Sequence, residues 1–288
     1  MIFDGKQFAY EIEEEVSSKL RNLVQKPRVV SVMVGDDPAS ALYTRLKQQA
    51  AERVGIQFDV VKLESTNIQI PIIKQRIAEI GAKDDVTGVM VQLPIPGPHG
   101  EASLQGLALQ DLLTAIPLSK DIDGLRWEQS HIMPATVRAV LEIVEKITEN
   151  SKFKIQNSKL VVVGARGAVG RPLVHYLKAR GIQDVLEVEW DTPEPTRTVL
   201  EGDVVISCVG KPGLVTGEMV KSGVIAVDVG ISQIPIQNSE FSVNGQKSKV
   251  VGDMTQDVYE KASVAVAVPG GVGPVTIACL LKNALTVL

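Results

Sequence analysis

The sequence predicts an α/β protein of two domains, each built on a parallel sheet. Three observations lead there. The chain has 288 residues, long for a single hydrophobic core and comfortable for two. Apolar, β-branched runs alternate with stretches of helical period, and near-continuous apolar strands belong to parallel sheets covered on both faces. The alternation stops in a polar linker at 148–158 and then starts again.

In order, 29–34 reads as a buried strand and 40–54 as a helix, with Leu42, Leu46, Ala50 and Val54 at helical spacing. A strand follows at 58–63, a helix at 68–80, a strand at 87–91 and a helix at 103–115. The stretch 94–100 breaks regular structure, with Pro94, Pro96 and Pro98 close together, and a second break lies at 118–133. A periodic helix at 136–147 leads into the linker. Beyond it come a strand at 160–163, a helix at 170–180, and strands at 185–188, 204–208 and 224–229. Asn244-Gly245 inside 241–251 signals a hairpin. A last strand at 264–268 precedes a Gly/Pro-rich turn and an apolar helix at 275–288. The domains divide as 1–133, with the terminal helix 275–288 packing back on it, and 134–274.

Composition narrows the function classes. Apolar residues are 44% and charged residues 22%, which excludes disorder and disulfide scaffolds. A net charge of −4 argues against nucleic acid or an anionic membrane as the main partner. No apolar run reaches the roughly 18 residues of a membrane span, and the first residues lack the basic start of a signal peptide. Two distant cysteines, Cys208 and Cys279, fit a reducing, cytoplasmic compartment. Three histidines with no CxxC or HExxH argue against a metal site.

Five motifs carry chemistry. Gly164-Ala165-Arg166-Gly167-Ala168-Val169-Gly170 follows a strand and opens a helix, the setting in which glycines let backbone approach a pyrophosphate. The βαβ units after it complete a Rossmann half, so the dinucleotide reading leads over a plain tight turn. Tyr43 and Lys47 lie one helical turn apart, on a helix that Asp37 or Ser40 can cap. On these residues alone, a solvated lysine beside a half-buried tyrosine is the favoured reading. Gln92 sits just past a buried strand, where open α/β sheets place ligands, or is a loop hydrogen-bonder. In Lys120-Asp121-Ile122-Asp123-Gly124 the two carboxylates point differently: one can brace the turn, the other can bind a donor-rich ligand. Val268-Pro269-Gly270-Gly271-Val272-Gly273-Pro274 is either an unusual backbone against a ligand or a sharp turn.

Together these motifs resemble the FolD family of bifunctional methylenetetrahydrofolate dehydrogenase/methenyltetrahydrofolate cyclohydrolases. The resemblance runs in order through 34–56, 88–96 (GVMVQLPIP), 120–125 (KDIDGL), 161–172, 210–213, 227–232, 250–254 and 268–276 (VPGGVGPVT). It implies an N-terminal α/β substrate domain, a C-terminal Rossmann dinucleotide-binding domain and a folate site in the cleft between them. It further implies hydride transfer from the methylene carbon to NADP or NAD, then hydrolysis of the methenyl cation. Lys47, Tyr43 and Gln92 match the catalytic positions. Tyr43, Gln92, Asp123, Pro269, Gly270 and Gly271 match substrate positions, with Asp123 on the pterin. Gly164, Ala165, Arg166 and Ile231 match cofactor contacts. A homodimer through the Rossmann domain is also implied.

The departures lie mostly on the cofactor side and in the interdomain link. The family's usual Gly-Arg-Ser is Gly164-Ala165-Arg166, and its Cys-His-Ser-Arg-Thr-like stretch aligns with Val188-Glu189-Trp190-Asp191-Thr192. Its Pro-Cys-Thr-Pro-x-Gly link appears as Pro134 to Ala139, and the loop from Gly124 to Pro134 is short. Asp191, with Glu189, stands where NAD enzymes place a ribose-binding carboxylate, and either repels a 2′-phosphate; against this, Arg166 is a new cation. The cofactor expectation therefore leans to NAD against a family default of NADP. Three rivals remain. One is a monofunctional cyclohydrolase with a decayed dinucleotide site, another a shikimate- or amino-acid-dehydrogenase-like enzyme, and the third a non-catalytic folate- or nucleotide-binding protein.

Overall fold

The computed structural model describes residues 1–64, 69–96, 103–149, 155–235 and 248–288. They form two compact units: Ala9–Ala135 with Ile277–Leu288, and Met1–Phe8 with Thr136–Thr276. The chain opens with a helix the sequence reading passed over, α1 (Gly5–Leu20). Asp4 Oδ1 caps it by accepting from the amides of Lys6 (3.1 Å) and Gln7 (3.0 Å). Its stripe Ala9, Ile12, Val16, Leu20 is buried, at the spacing one helix face requires.

In the first unit β1 (Arg28–Val34), α2 (Pro38–Val54), β2 (Gln57–Leu63), α3 (Ile70–Gly81), β3 (Gly88–Val91) and α4 (Gly106–Leu113) follow one another. The parallel sheet has the order β2-β1-β3, so the chain reverses direction across β1. Val30, Val32 and Val34 of β1 and Val89 and Val91 of β3 pack with Ile73, Ile77 and Ile80 of α3 and with Leu112 and Leu113 of α4. Val29, Ser31 and Met33 of β1 and Met90 of β3, on the opposite face, are buried too, the two-sided burial expected of a parallel sheet. A short α5 (Trp127–Ser130) and α6 (Ala135–Glu149) lead on.

The second unit runs β4 (Leu160–Val163), α7 (Gly170–Ala179), β5 (Val185–Val188), α8 (Pro195–Leu200), β6 (Val204–Ser207) and β7 (Ile225–Asp228). After these come β8 (Ser232–Pro235), β9 (Ser248–Val251), α9 (Gln256–Lys261), β10 (Val264–Val266) and α10 (Val272–Thr286). Five parallel strands take the order β10-β7-β6-β4-β5, which puts a topological switch point between β4 and β6. β8 and β9 pair antiparallel; the Asn244-Gly245 turn lies outside the described residues. Residues 1–8, which the sequence division placed in 1–133, group instead with this unit. Ile2 bridges Ala265, and Phe3 N–H donates to Ala265 O (2.9 Å), extending the sheet past β10.

Candidate active site

In the first unit the site residues gather at the carboxyl ends of the strands. Asp37 Oδ2 accepts the Ser40 amide at 2.7 Å and Pro38 occupies the first turn, so α2 starts four residues after β1 ends. One turn in, Tyr43 and Lys47 share a face. Lys47 Nζ donates to Gln92 Oε1 at 3.0 Å. Gln92 directly follows β3, and its Nε2 donates to Leu93 O at 3.1 Å, which orients the amide with its oxygen toward the lysine. Burial holds the Lys47 ammonium below the usual lysine range, and the Asp123 carboxylate pulls it partly back. Burial raises the Tyr43 phenol, which keeps it protonated.

The 121–135 loop resolves the two aspartates. Asp121 is fully buried and braces the turn, accepting from the amides of Leu125 (3.1 Å) and Arg126 (2.8 Å) and from Ser130 Oγ (3.1 Å). Asp123 takes no side-chain hydrogen bond among the described residues; burial raises its carboxyl and Lys47 lowers it. Gly124 turns the chain at φ +69, where an added Cβ would lie 2.6 Å from Pro134 N. Asn283 on α10, fully buried, clamps both ends of the segment by donating to Ile122 O (2.8 Å) and Met133 O (2.9 Å). Sequence reasoning missed Asn283; the signal was a lone amide among the buried Cys279, Leu280, Leu281 and Ala284.

In the second unit two glycines of the turn after β4 each have their own reason. Gly164 takes φ +84, and a Cβ there would meet Val209 Cγ2 at 2.9 Å. A Cβ on Gly170, at the start of α7, would lie 2.0 Å from Gly164 O. Ala165 is buried and Arg166 exposed. Val163 pairs with Val188, and Gly164 N–H donates to Val188 O (2.9 Å), so Glu189 is the residue beside the glycine turn. The Arg166 amide donates to Glu189 Oε1, and Arg166 Nη1 holds both oxygens of Asp191, at 3.0 and 2.9 Å. That pairing lowers the Asp191 carboxyl. An open backbone turn at a helix start, flanked by carboxylates for ribose hydroxyls, fits a dinucleotide.

Ile231 is exposed just past β7, and Ser232 Oγ donates to Gly210 O at 2.9 Å. Pro269, Gly270 and Gly271 belong to this unit as well, with Gly270 at φ +103 and the Gly271 amide donating to Ala267 O at 2.9 Å.

A second pair of carboxylates, also missed, stands behind the turn. Asp253, fully buried, accepts from Ser207 Oγ (2.8 Å) and the amides of Val209 (2.8 Å) and Lys211 (2.7 Å). Asp228, equally buried, accepts from the amides of Asp253 and Met254 (both 2.9 Å) and from Tyr259 Oη (2.7 Å). The loop Asp253 holds includes Val209, against which Gly164 rests. These residues come together only through the sheet order.

A Rossmann unit with a glycine turn, in a chain whose other unit presents a desolvated lysine with a glutamine and an aspartate, is the arrangement of a dinucleotide-using enzyme. Two family models match: tetrahydrofolate dehydrogenase/cyclohydrolase catalytic domain over residues 3–123, and its NAD(P)-binding domain over 134–288. The Moorella thermoacetica bifunctional protein FolD is 35% identical over 294 residues, 98% of this chain and 96% of that protein. The Campylobacter jejuni FolD methylenetetrahydrofolate dehydrogenase/cyclohydrolase structure superposes with TM-score 0.84 at 30% identity, covering 100% of this chain and 98% of that one. The Trypanosoma brucei FolD structure, complexed with NADP cofactor and inhibitor, gives 0.84 and 30%, covering 100% and 96%.

The chain belongs to the FolD family. It is an enzyme of one-carbon folate metabolism, with dehydrogenase and cyclohydrolase activity and an NAD(P)-binding domain.

Proposed function

We propose that Lys47 runs the hydrolytic step and that the dehydrogenase step leans to NAD. The observation that carries the first part is the 3.0 Å bond from Lys47 to Gln92, with Asp123 close enough to shift the lysine electrostatically. When bound, the nicotinamide ring supplies the acceptor for the hydride leaving the methylene carbon. That transfer needs no side-chain proton, so the residues serve it by positioning. Asp123 accepts from the pterin's amino and ring nitrogens, and Pro269, Gly270 and Gly271 line the folate. In hydrolysis, water adds to the methenyl carbon, the bond to the ring nitrogen opens, and one proton is released overall. Lys47, desolvated and next to a cationic substrate, is tuned to take that proton, while Gln92 and Tyr43 orient amine and water.

For the cofactor, the family's arginine is Ala165 here, Glu189 borders the glycine turn, and Arg166 is already engaged by Asp191. Ribose hydroxyls suit such carboxylates and a 2′-phosphate does not. A homodimer through the second unit, a cytoplasmic setting and a one-carbon supply to purine biosynthesis complete the reading. The test follows absorbance of methylenetetrahydrofolate with NAD and with NADP, and then methenyltetrahydrofolate alone, for the natural chain and Asp191→Ser. Turnover favouring NAD, with the preference eroded once Asp191→Ser releases Arg166, is expected. An NADP preference unmoved by the substitution would overturn the cofactor reading. Hydrolysis without turnover on either cofactor would favour the monofunctional rival.

A further inference from the structure

Trp190 is 90% exposed, the wrong place for an indole unless a flat apolar partner covers it. It is also held firmly. Glu189 N–H donates to Thr192 Oγ1 (2.7 Å) and Thr192 N–H returns to Glu189 O (3.1 Å), closing a tight turn around it. Its two neighbours are tied to the glycine turn, Glu189 through the Arg166 amide and Asp191 through the Arg166 guanidinium. An exposed aromatic on a pinned turn loses little entropy when it binds. The turn lies at the carboxyl end of β5, beside Gly164, where a Rossmann sheet receives the adenosine half of a dinucleotide.

We infer that Trp190 is an adenine platform: its indole stacks on the base while the carboxylate before it takes the ribose hydroxyls. The inference rests on the dinucleotide reading but not on the choice of NAD over NADP, because the adenine is common to both. It names an affinity contact that this chain has in place of the family's short polar residue, one that both cofactors share.

The experiment titrates the full-length protein with 5′-AMP, ADP-ribose and NAD, following tryptophan fluorescence and, separately, calorimetric Kd. A saturable quench in the natural chain that disappears in Trp190→Phe is expected. Trp190→Ala is expected to bind ADP-ribose about tenfold more weakly, the usual scale of one base-stacking contact. NAD and NADP should weaken alike, and methenyl hydrolysis should be unchanged. An unaltered Kd in Trp190→Ala overturns the inference while leaving the cofactor reading intact. A fluorescence change that tracks protein concentration instead of nucleotide also overturns it, by placing Trp190 between two copies of the chain. Failure of the natural chain to bind ADP-ribose or NAD overturns both readings.

Discussion

Each unit carries a pair of aspartates, all fully buried except the half-buried Asp123, and the two units use them differently. In the second unit Asp228 and Asp253 are both saturated: three donors close on each carboxylate, and there is no space for anything else. Cβ atoms on Gly230 and Gly252 would lie 2.0 Å from Asp253 Oδ1 and Asp228 Oδ2. In the first unit only Asp121 is treated so, while Asp123 is within electrostatic reach of Lys47 and takes no side-chain hydrogen bond among the described residues. A saturated buried carboxylate is a brace for backbone; an unsaturated one beside a cation keeps its capacity for a ligand. The lesson is that donor count, together with burial, separates structural from chemical acids in this fold.

Much of this was legible in the sequence, for identifiable reasons. Strand 160–163 forms where its apolar run places it, because a strand buried on both faces has to be apolar throughout. The Asp37 cap and the placing of Gln92 past β3 followed from local rules. Three things did not. The helical period of α1 is faint in the sequence, because Glu11, Glu13, Glu14 and Glu15 interrupt the thin Ala9–Ile12–Val16–Leu20 stripe. The Asp253 brace joins residues 207, 209, 211 and 253, and Asn283 reaches back to Ile122 and Met133; no local pattern encodes such distances. Glu189 and Asp191 both qualify in the sequence as ribose-binding carboxylates, and the strand register puts Glu189 beside Gly164.

The largest expected effect breaks the first unit's chemistry and leaves the second untouched. Lys47→Met keeps the aliphatic stem and removes the amine. Methenyl hydrolysis should fall by about 100-fold or more, the scale of losing a proton-transfer group. Calorimetric NAD binding and the circular dichroism spectrum should not change. Hydrolysis near the natural rate would remove Lys47 from the mechanism.

Within the first unit, Asp123→Asn and Asp121→Asn should separate brace from ligand. Asp123→Asn turns an NH2 toward ligand donors, a mismatch of roughly 1–3 kcal/mol, so folate KM should rise about tenfold with Tm nearly constant. Asp121→Asn cannot satisfy three donors, so its main cost should be a lower Tm with a smaller change in KM. The opposite ranking would refute the donor-count rule.

Asp253→Asn carries the same rule into the second unit. One of its two binding atoms becomes a donor facing the Val209 or Lys211 amide, which shifts the loop on which Gly164 rests. Dinucleotide Kd should rise by about three- to tenfold, while methenyl hydrolysis stays at its natural rate. Equal losses in both activities would show a general fold defect instead.

The smallest expected effect, and the most discriminating, is a shift in pH dependence. Burial holds Lys47 below the ordinary lysine value, and Asp123 opposes that by favouring the charged ammonium. If the neutral amine takes the proton from water, kcat/KM for hydrolysis climbs with pH through that lowered pKa, since this ratio reports the free enzyme. Removing the anion in Asp123→Asn leaves desolvation unopposed, so the lysine pKa falls further. The rising limb should therefore move to lower pH, by about one unit or less, even though the ratio itself drops because folate binds more weakly. Height and position of the profile thus report two different jobs of one carboxylate. A limb that moves to higher pH, or does not move while the height falls, would mean that Asp123 meets the folate without tuning the lysine.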